Sequence, residues 1–313
     1  GNFPTVRSPN PEEPAALNLA VEKAKQIDAD LVMGTDPDAD RVGIALKDNR
    51  GRFILLNGNQ TACIMINYLL KKWAEKGRLK GKEYIVKTIV TTELLADIAD
   101  KYNVEHFDVL TGFKYIADVI KKFEGQKTFI GGGEESYGYL AGEFVRDKDA
   151  IMSCSLIAEI AACAKDQGKS MFEMLLSIYR EFGMYRESII SVYKQGKDGA
   201  EEIRKMMEKF RNDPPGTINN SKVVLIRDYL DDASLEKINA ENGGVEIHKD
   251  NVLQFFTENG SKISIRPSGT EPKIKFYFSV KEKFGESHSY KEISDILAKR
   301  IENIIRDLGL EVK

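Results

Sequence analysis

Apolar side chains recur along the chain with two periods, and each change of period marks an element. Between Glu13 and Ile27 the apolar residues Leu17, Ala20, Val21, Ala24 and Ile27 keep to one face at helical spacing, which predicts a helix over 13–27. The run Asp30-Leu-Val-Met-Gly34 predicts a short buried strand ending at an acidic loop, and Val42 to Leu46 predicts the strand that follows. From Gly58 the pattern alternates, with helices expected over 59–76, 92–102, 113–124 and 151–167 and strands over 84–88, 104–109 and 128–131. Strands separated by helices of this length predict a parallel sheet covered on both faces, with ligand loops after its strands. Further on the pattern predicts strands over 187–193, 223–228, 252–257, 262–266 and 273–280, with helices over 199–211 and 290–308. Asp213-Pro-Pro-Gly216 breaks the chain, and Glu258-Asn-Gly260 reads as a turn between two of those strands. The expected fold class is α/β: doubly wound mixed α/β domains followed by a C-terminal α+β domain with a mostly antiparallel sheet.

The 313 residues, at roughly 150 per domain, allow two domains or three small ones. The first 50 residues are few for a domain and are expected to be the tail of one; Gly1 in place of Met predicts a processed or engineered start. With 46 Lys and Arg against 49 Asp and Glu, the net charge of −3 gives no general attraction to nucleic acid or to an anionic membrane. The longest apolar run, Ile151 to Ala164, falls short of the ~20 residues that span a bilayer and contains Glu159. Cys63, Cys154 and Cys163 have neither CxxC spacing nor an even count, so reduced thiols in a cytoplasmic protein are expected. His106, His248 and His288 are too scattered for a zinc site.

Three loops carry chemistry. In Gly34-Thr-Asp-Pro-Asp-Ala-Asp-Arg41, Asp36, Asp38 and Asp40 follow a strand at alternate positions. Three carboxylates so close repel unless a cation neutralises them, and an all-oxygen set suits Mg2+ or Ca2+. An EF-hand register fails, with Arg41 where Gly is required and Lys47 where Glu is required; a DxDx[TV] nucleophile loop fits only in part, because its fifth position is Asp40. The second loop, Gly131-Gly-Gly-Glu-Glu-Ser-Tyr-Gly-Tyr-Leu140, has glycines that permit close approach of a ligand, or a turn of positive φ, and Glu134 and Ser136 able to bond sugar hydroxyls. Arg146-Asp-Lys-Asp149 follows with cationic groups suited to phosphate. The third, Arg266-Pro-Ser-Gly-Thr-Glu-Pro272, combines a guanidinium fork with Ser268 and Thr270 hydroxyls and with backbone amides freed by Gly269. It is not a Walker loop, having no Gly-Lys-[Ser/Thr] end.

These loops, in this order, resemble those of the α-D-phosphohexomutase family, the phosphoglucomutases, phosphomannomutases and their relatives. The resemblance covers essentially the whole chain, including Phe3-Pro-Thr-Val and Pro9-Asn-Pro-Glu-Glu-Pro14, and Glu-Glu-Ser-Tyr-Gly-Tyr is most similar to the phosphoglucomutase and phosphopentomutase branches. It implies that 1–50 is the C-terminal part of family domain 2 with the metal loop, 51–182 domain 3 with the sugar loop, and 183–313 domain 4 with the phosphate loop. It implies Mg2+ on Asp36, Asp38 and Asp40, and Arg41 facing the catalytic phosphoryl group. Substrate contacts are implied at Thr111, Gly112, Glu134, Ser136 and Lys148, and at Arg266, Ser268, Gly269 and Thr270 for the phosphate not being transferred.

The family's nucleophile is a phosphorylated serine in a Thr-Ala-Ser-His-Asn-Pro-like segment of the first domain. No such segment occurs among these residues, and Ser8-Pro9-Asn10-Pro11 imitates it only superficially. The expected protein is the C-terminal portion of an enzyme that interconverts hexose 1-phosphate and hexose 6-phosphate through a bisphosphorylated sugar. It would have a hexose 1,6-bisphosphate activator, a missing N-terminal domain in cis, phosphosugar as its partner, and no turnover by itself. A phosphopentomutase of the same family, a non-catalytic phosphosugar-binding module and a phosphatase using Asp36 as nucleophile are the alternatives.

Overall fold

The computed structural model describes residues 2–194, 196–269 and 271–310, and the chain divides into two compact units, Gly1–Phe182 and Gly183–Lys313. The first unit opens with helix α1 (Pro14–Gln26), begun by a proline near its first turn, where the missing N–H has no helical partner to lose. Three antiparallel strands follow, β1 (Leu31–Thr35), β2 (Val42–Lys47) and β3 (Phe53–Leu56), in that spatial order. β1 and β2 pair from Leu31↔Leu46 to Thr35↔Val42, so the acidic run forms the hairpin loop between them. Ala24, Val32 and Ala45 form the buried contact between α1 and this sheet.

Helix α2 (Gly58–Glu75) is started by a capping box in which the Asn57 side chain accepts from Gln60 N at 2.8 Å and Gln60 Oε1 accepts from Asn57 N at 3.1 Å. The elements after it are β4 (Glu83–Thr88), α3 (Leu94–Lys101), β5 (Glu105–Val109), α4 (Phe113–Phe123), β6 (Thr128–Gly133), β7 (Tyr139–Ala141), α5 (Ala150–Asp166) and α6 (Met171–Phe182). Their sheet has the order β5-β4-β6-β7. The first three strands are parallel, as the helix-strand alternation predicts, and β7 adds an antiparallel edge. β4 is buried along its whole length, and Tyr84, Phe107, Phe123 and Phe129 pack ring against ring.

One expectation is corrected here. None of Gly131, Gly132 and Gly133 has positive φ, and the room they leave is filled by protein rather than offered to a ligand. A Cβ on Gly132 would stand 2.1 Å from the Val86 carbonyl oxygen of the neighbouring strand.

The second unit contains β8 (Met184–Tyr193), α7 (Gly196–Asn212), β9 (Thr217–Ile218), β10 (Ser221–Asp228), α8 (Asp232–Glu241), β11 (Leu253–Thr257), β12 (Lys262–Pro267), β13 (Lys273–Glu282) and α9 (Tyr290–Asp307). Its sheet has the order β8-β13-β12-β11-β10-β9, antiparallel throughout. Phe210 of α7 meets Phe255 and Phe276 of the sheet, while α9 buries Ile293, Leu297, Ile301 and Ile304 at helical spacing. Among the described residues no helix is long and apolar enough to cross a membrane.

Candidate functional site

The β1–β2 hairpin fixes the acidic loop through its own backbone. Asp36 Oδ1 accepts from the N–H groups of Asp40 and Arg41, each at 3.0 Å. Ala39 takes a left-handed φ of 57°, and its carbonyl accepts from Ala150 N at 3.0 Å, tying the loop to the start of α5. One oxygen of each of Asp36, Asp38 and Asp40 lies within 4.8 Å of the others. Asp40 Oδ1 is buried without a hydrogen-bond partner among the described residues, a cost a protein seldom bears unless something else occupies the position. Burial lifts the Asp36 carboxyl above its ordinary range, the N–H of Arg41 opposes this, and neighbouring Asp40 adds to the rise. A hard divalent cation would relieve each of these conditions, so the residues present fit one.

The sugar loop is joined to this hairpin edge to edge. Arg41 forms a β-bridge with Gly138, and Val42 N donates to the Tyr137 carbonyl at 3.1 Å. Glu134 N donates to the Gly138 carbonyl at 2.9 Å and closes the turn on which half-buried Ser136 lies. Glu134 Oε1 accepts from Gly112 N at 2.9 Å, which brings the Thr111-Gly112 turn at the start of α4 against it. The Thr111 hydroxyl is buried with no hydrogen-bond partner among the described residues. Burial holds the Glu134 carboxyl above its ordinary value, outweighing the Gly112 N–H, Lys148 and Arg41, which act to lower it.

Two cations serve both loops. Arg41 reaches Glu12 at 3.0 Å and has its Nε 3.8 Å from Asp40 and 4.0 Å from Asp36. Lys148 lies 2.9 Å from Asp40 Oδ2. Arg146, which the sequence grouped with Lys148 as a cationic hydrogen-bond donor to phosphate, is instead turned to Glu124 at 3.1 Å and to the Glu143 carbonyl. The first unit therefore brings together Asp36, Asp38, Asp40, Arg41, Thr111, Gly112, Glu134 and Lys148, with Ser136 on the same turn.

In the second unit Arg266 is the penultimate residue of β12, and Ser268 N donates to the Lys273 carbonyl at 2.8 Å across the mouth of the hairpin. Arg266 Nε is 3.7 Å from Asp250, a loose pairing. Glu271 N donates to Ser268 Oγ at 3.3 Å, Gly269 is exposed, and Thr270 lies outside the described residues. Sequence reasoning missed Lys275, which stands directly opposite Arg266 in the β12–β13 register. Like charges facing across a strand pair are unfavourable without an anion, and the Lys273-Ile-Lys275 alternation carries the signal.

Comparison with known proteins agrees along the chain. The family models described as phosphoglucomutase/phosphomannomutase match it as alpha/beta/alpha domain II over 1–51, alpha/beta/alpha domain III over 57–182 and C-terminal domain over 219–301. A phosphoglucomutase of Staphylococcus aureus (strain USA300) is 40% identical over 281 residues, covering 90% of this chain and 50% of its own length. One from Staphylococcus haemolyticus (strain JCSC1435) is 37% identical over 279 residues, covering 89% and 50%. The chain thus spans about half the length of the curated relatives it matches. In fold it is similar to the exocytosis-sensitive phosphoprotein pp63/parafusin of Paramecium in its open form (TM-score 0.62, 22% identity, 93% of this chain and 48% of that one). It is also similar in fold to a phosphoglucomutase/phosphomannomutase family protein of Burkholderia thailandensis (TM-score 0.61, 16% identity, 100% and 54%).

Proposed function

The chain belongs to the phosphoglucomutase/phosphomannomutase family, and from that membership we propose that it carries the metal, sugar and phosphate groups of an enzyme interconverting hexose 1-phosphate and hexose 6-phosphate. The observation that carries this reading is the Arg41–Gly138 bridge, which holds the three aspartates beside Glu134 with Lys148 between them. Phosphoryl transfer requires positioning and charge neutralisation more than covalent help from the protein, and this arrangement is suited to both.

In this reading Asp36, Asp38 and Asp40 hold Mg2+, which when bound supplies positive charge against the transferred phosphoryl group. Arg41, set by its bond to Glu12, faces that group. Glu134 and Ser136 orient the sugar by its hydroxyls, and Thr111, Gly112 and Lys148 complete its contacts. Arg266, Ser268, Gly269 and Thr270 hold the phosphate that is not being transferred, with Lys275 adding charge beside Arg266. The three segments 1–50, 51–182 and 183–313 correspond in this reading to the metal, sugar and phosphate parts of the family's architecture.

The phosphoserine segment expected of the family is not among these residues, so the chain alone binds phosphosugar and does not turn it over. In the intact enzyme hexose 1,6-bisphosphate serves as intermediate and activator. The test is a coupled assay for glucose 6-phosphate from glucose 1-phosphate with Mg2+ and bisphosphate, beside calorimetry with hexose and pentose 1-phosphates. Binding that Arg266→Ala removes, without turnover, is expected. Turnover would place a nucleophile within these residues and overturn the account. Hydrolysis of a generic phosphate ester that Asp36→Asn abolishes would establish the phosphatase alternative instead.

A further inference from the structure

Lys148 occupies a position between the metal loop and the sugar loop that neither role explains by itself. Its ammonium lies 2.9 Å from Asp40 Oδ2 and 3.0 Å from Asp147 Oδ1, and the side chain is only 13% exposed. Its stem crosses Gly138, where a Cβ would stand 2.2 Å from Lys148 Cδ, so the bare backbone of the sugar loop sets its path. Nζ lies 5.5 Å from the centre of the Phe113 ring, at the helix start that carries Gly112. Packing fixes the stem, whereas ion pairs hold the end, and an ammonium on a four-carbon stem can be re-aimed by its last torsions.

Asp40 also belongs to the group of three carboxylates within 4.8 Å, and its second oxygen is buried with no hydrogen-bond partner among the described residues, only the Arg41 guanidinium 3.8 Å away. The lysine and a divalent ion therefore draw on one carboxylate. We propose that Lys148 is a tethered cation that competes with the divalent ion for Asp40, and that ion binding releases its ammonium to the phosphosugar beside Glu134. The inference rests on the metal reading of Asp36, Asp38 and Asp40. An ion on these residues reduces the attraction of Asp40 for the ammonium and repels it, two effects of the same sign. By linkage, each ligand then favours the other by the same factor.

Calorimetric titration of Mg2+ into this chain, its Lys148→Met and Lys148→Gln variants and Lys148→Arg tests the competition. Both neutral variants are expected to bind Mg2+ about tenfold more tightly than the parent, and Lys148→Arg within about threefold of it. In the parent chain, with lysines labelled at Cε, the Lys148 NMR signal is expected to move as Mg2+ is added. Parent binding of Mg2+ with no gain in the neutral variants, or with a static Lys148 signal, overturns the competition and leaves the metal site standing. Absence of Mg2+ binding in every chain overturns the metal reading and the competition with it.

Discussion

Lys87 is the most heavily buried charge of the first unit, 1% exposed, with its ammonium 2.8 Å from Asp108 and 3.1 Å from Glu93. Burial works against the ammonium, but the two carboxylates outweigh it and hold its pKa above the ordinary lysine value. At an effective dielectric constant of about 20 the pairs have gross attractions of about 5 to 6 kcal/mol each, offset by desolvation costs of several kcal/mol per ion. The intact cluster therefore contributes little net stability, whereas removing one member takes away a large part of the compensation of the others. Lys87→Met should cost about 3 kcal/mol, the low end of the range for breaking a buried pair, because the Asp108 and Glu93 side chains retain 21% and 34% exposure. The triple variant Lys87→Met, Glu93→Gln, Asp108→Asn should recover most of that loss. Trp73, the one tryptophan in the chain and a residue of α2, makes its fluorescence in a urea titration a report on this unit alone. With a slope of about 2 kcal/mol/M the single variant should shift the midpoint down by about 1.5 M. A shift under about 0.3 M, or a triple variant no better than the single one, would refute the reasoning.

Three further outcomes are expected. Gly132→Ala places a Cβ 2.1 Å from a backbone oxygen that cannot rotate away; at about 2 kcal/mol of overpacking, the first unit should melt about 6 °C lower, and an unchanged melting temperature counts against the close approach. For Glu134 the folded pKa lies above the unfolded one, so stability falls as pH rises through the window above its ordinary value of 4.5. Glu134→Gln should be more stable than the parent at pH 7, with the difference closing as pH drops through that window; a difference that persists in acid would point to packing instead. Lys275→Ala should weaken phosphosugar binding about tenfold by calorimetry, an effect that normal affinity in the variant would disprove.

Much of this architecture is legible because it depends on contacts between near neighbours. The apolar stripe of α9, the turn at Gly260 and the buried run of β4 each follow from side chains a few positions apart. Other elements escaped for equally local reasons. β7 has only three residues, too few to show alternation. β3 is four residues, LL after FI, half-buried for most of its length. α6 follows α5 with only a short break at Gly168, and α8 depends on the Asp231 side chain accepting from Ser234 N at 2.8 Å rather than on a strong stripe.

The candidate site divides along the same line. The chemical character of each loop was determined by sequence alone: three carboxylates after a strand, a Glu and a Ser after a glycine run, an Arg before Pro-Ser-Gly. Tertiary structure decided which of them meet. Strand pairing joined Arg41 to Gly138 across nearly a hundred positions, turned Lys148 to Asp40 and Arg146 to Glu124, and set Lys275 opposite Arg266. It also gave the glycines of β6 to neighbouring backbone rather than to a ligand. Residue type and local spacing carry charge, reach and backbone freedom, but which groups share a volume depends on sheet register and packing, which the whole unit sets at once.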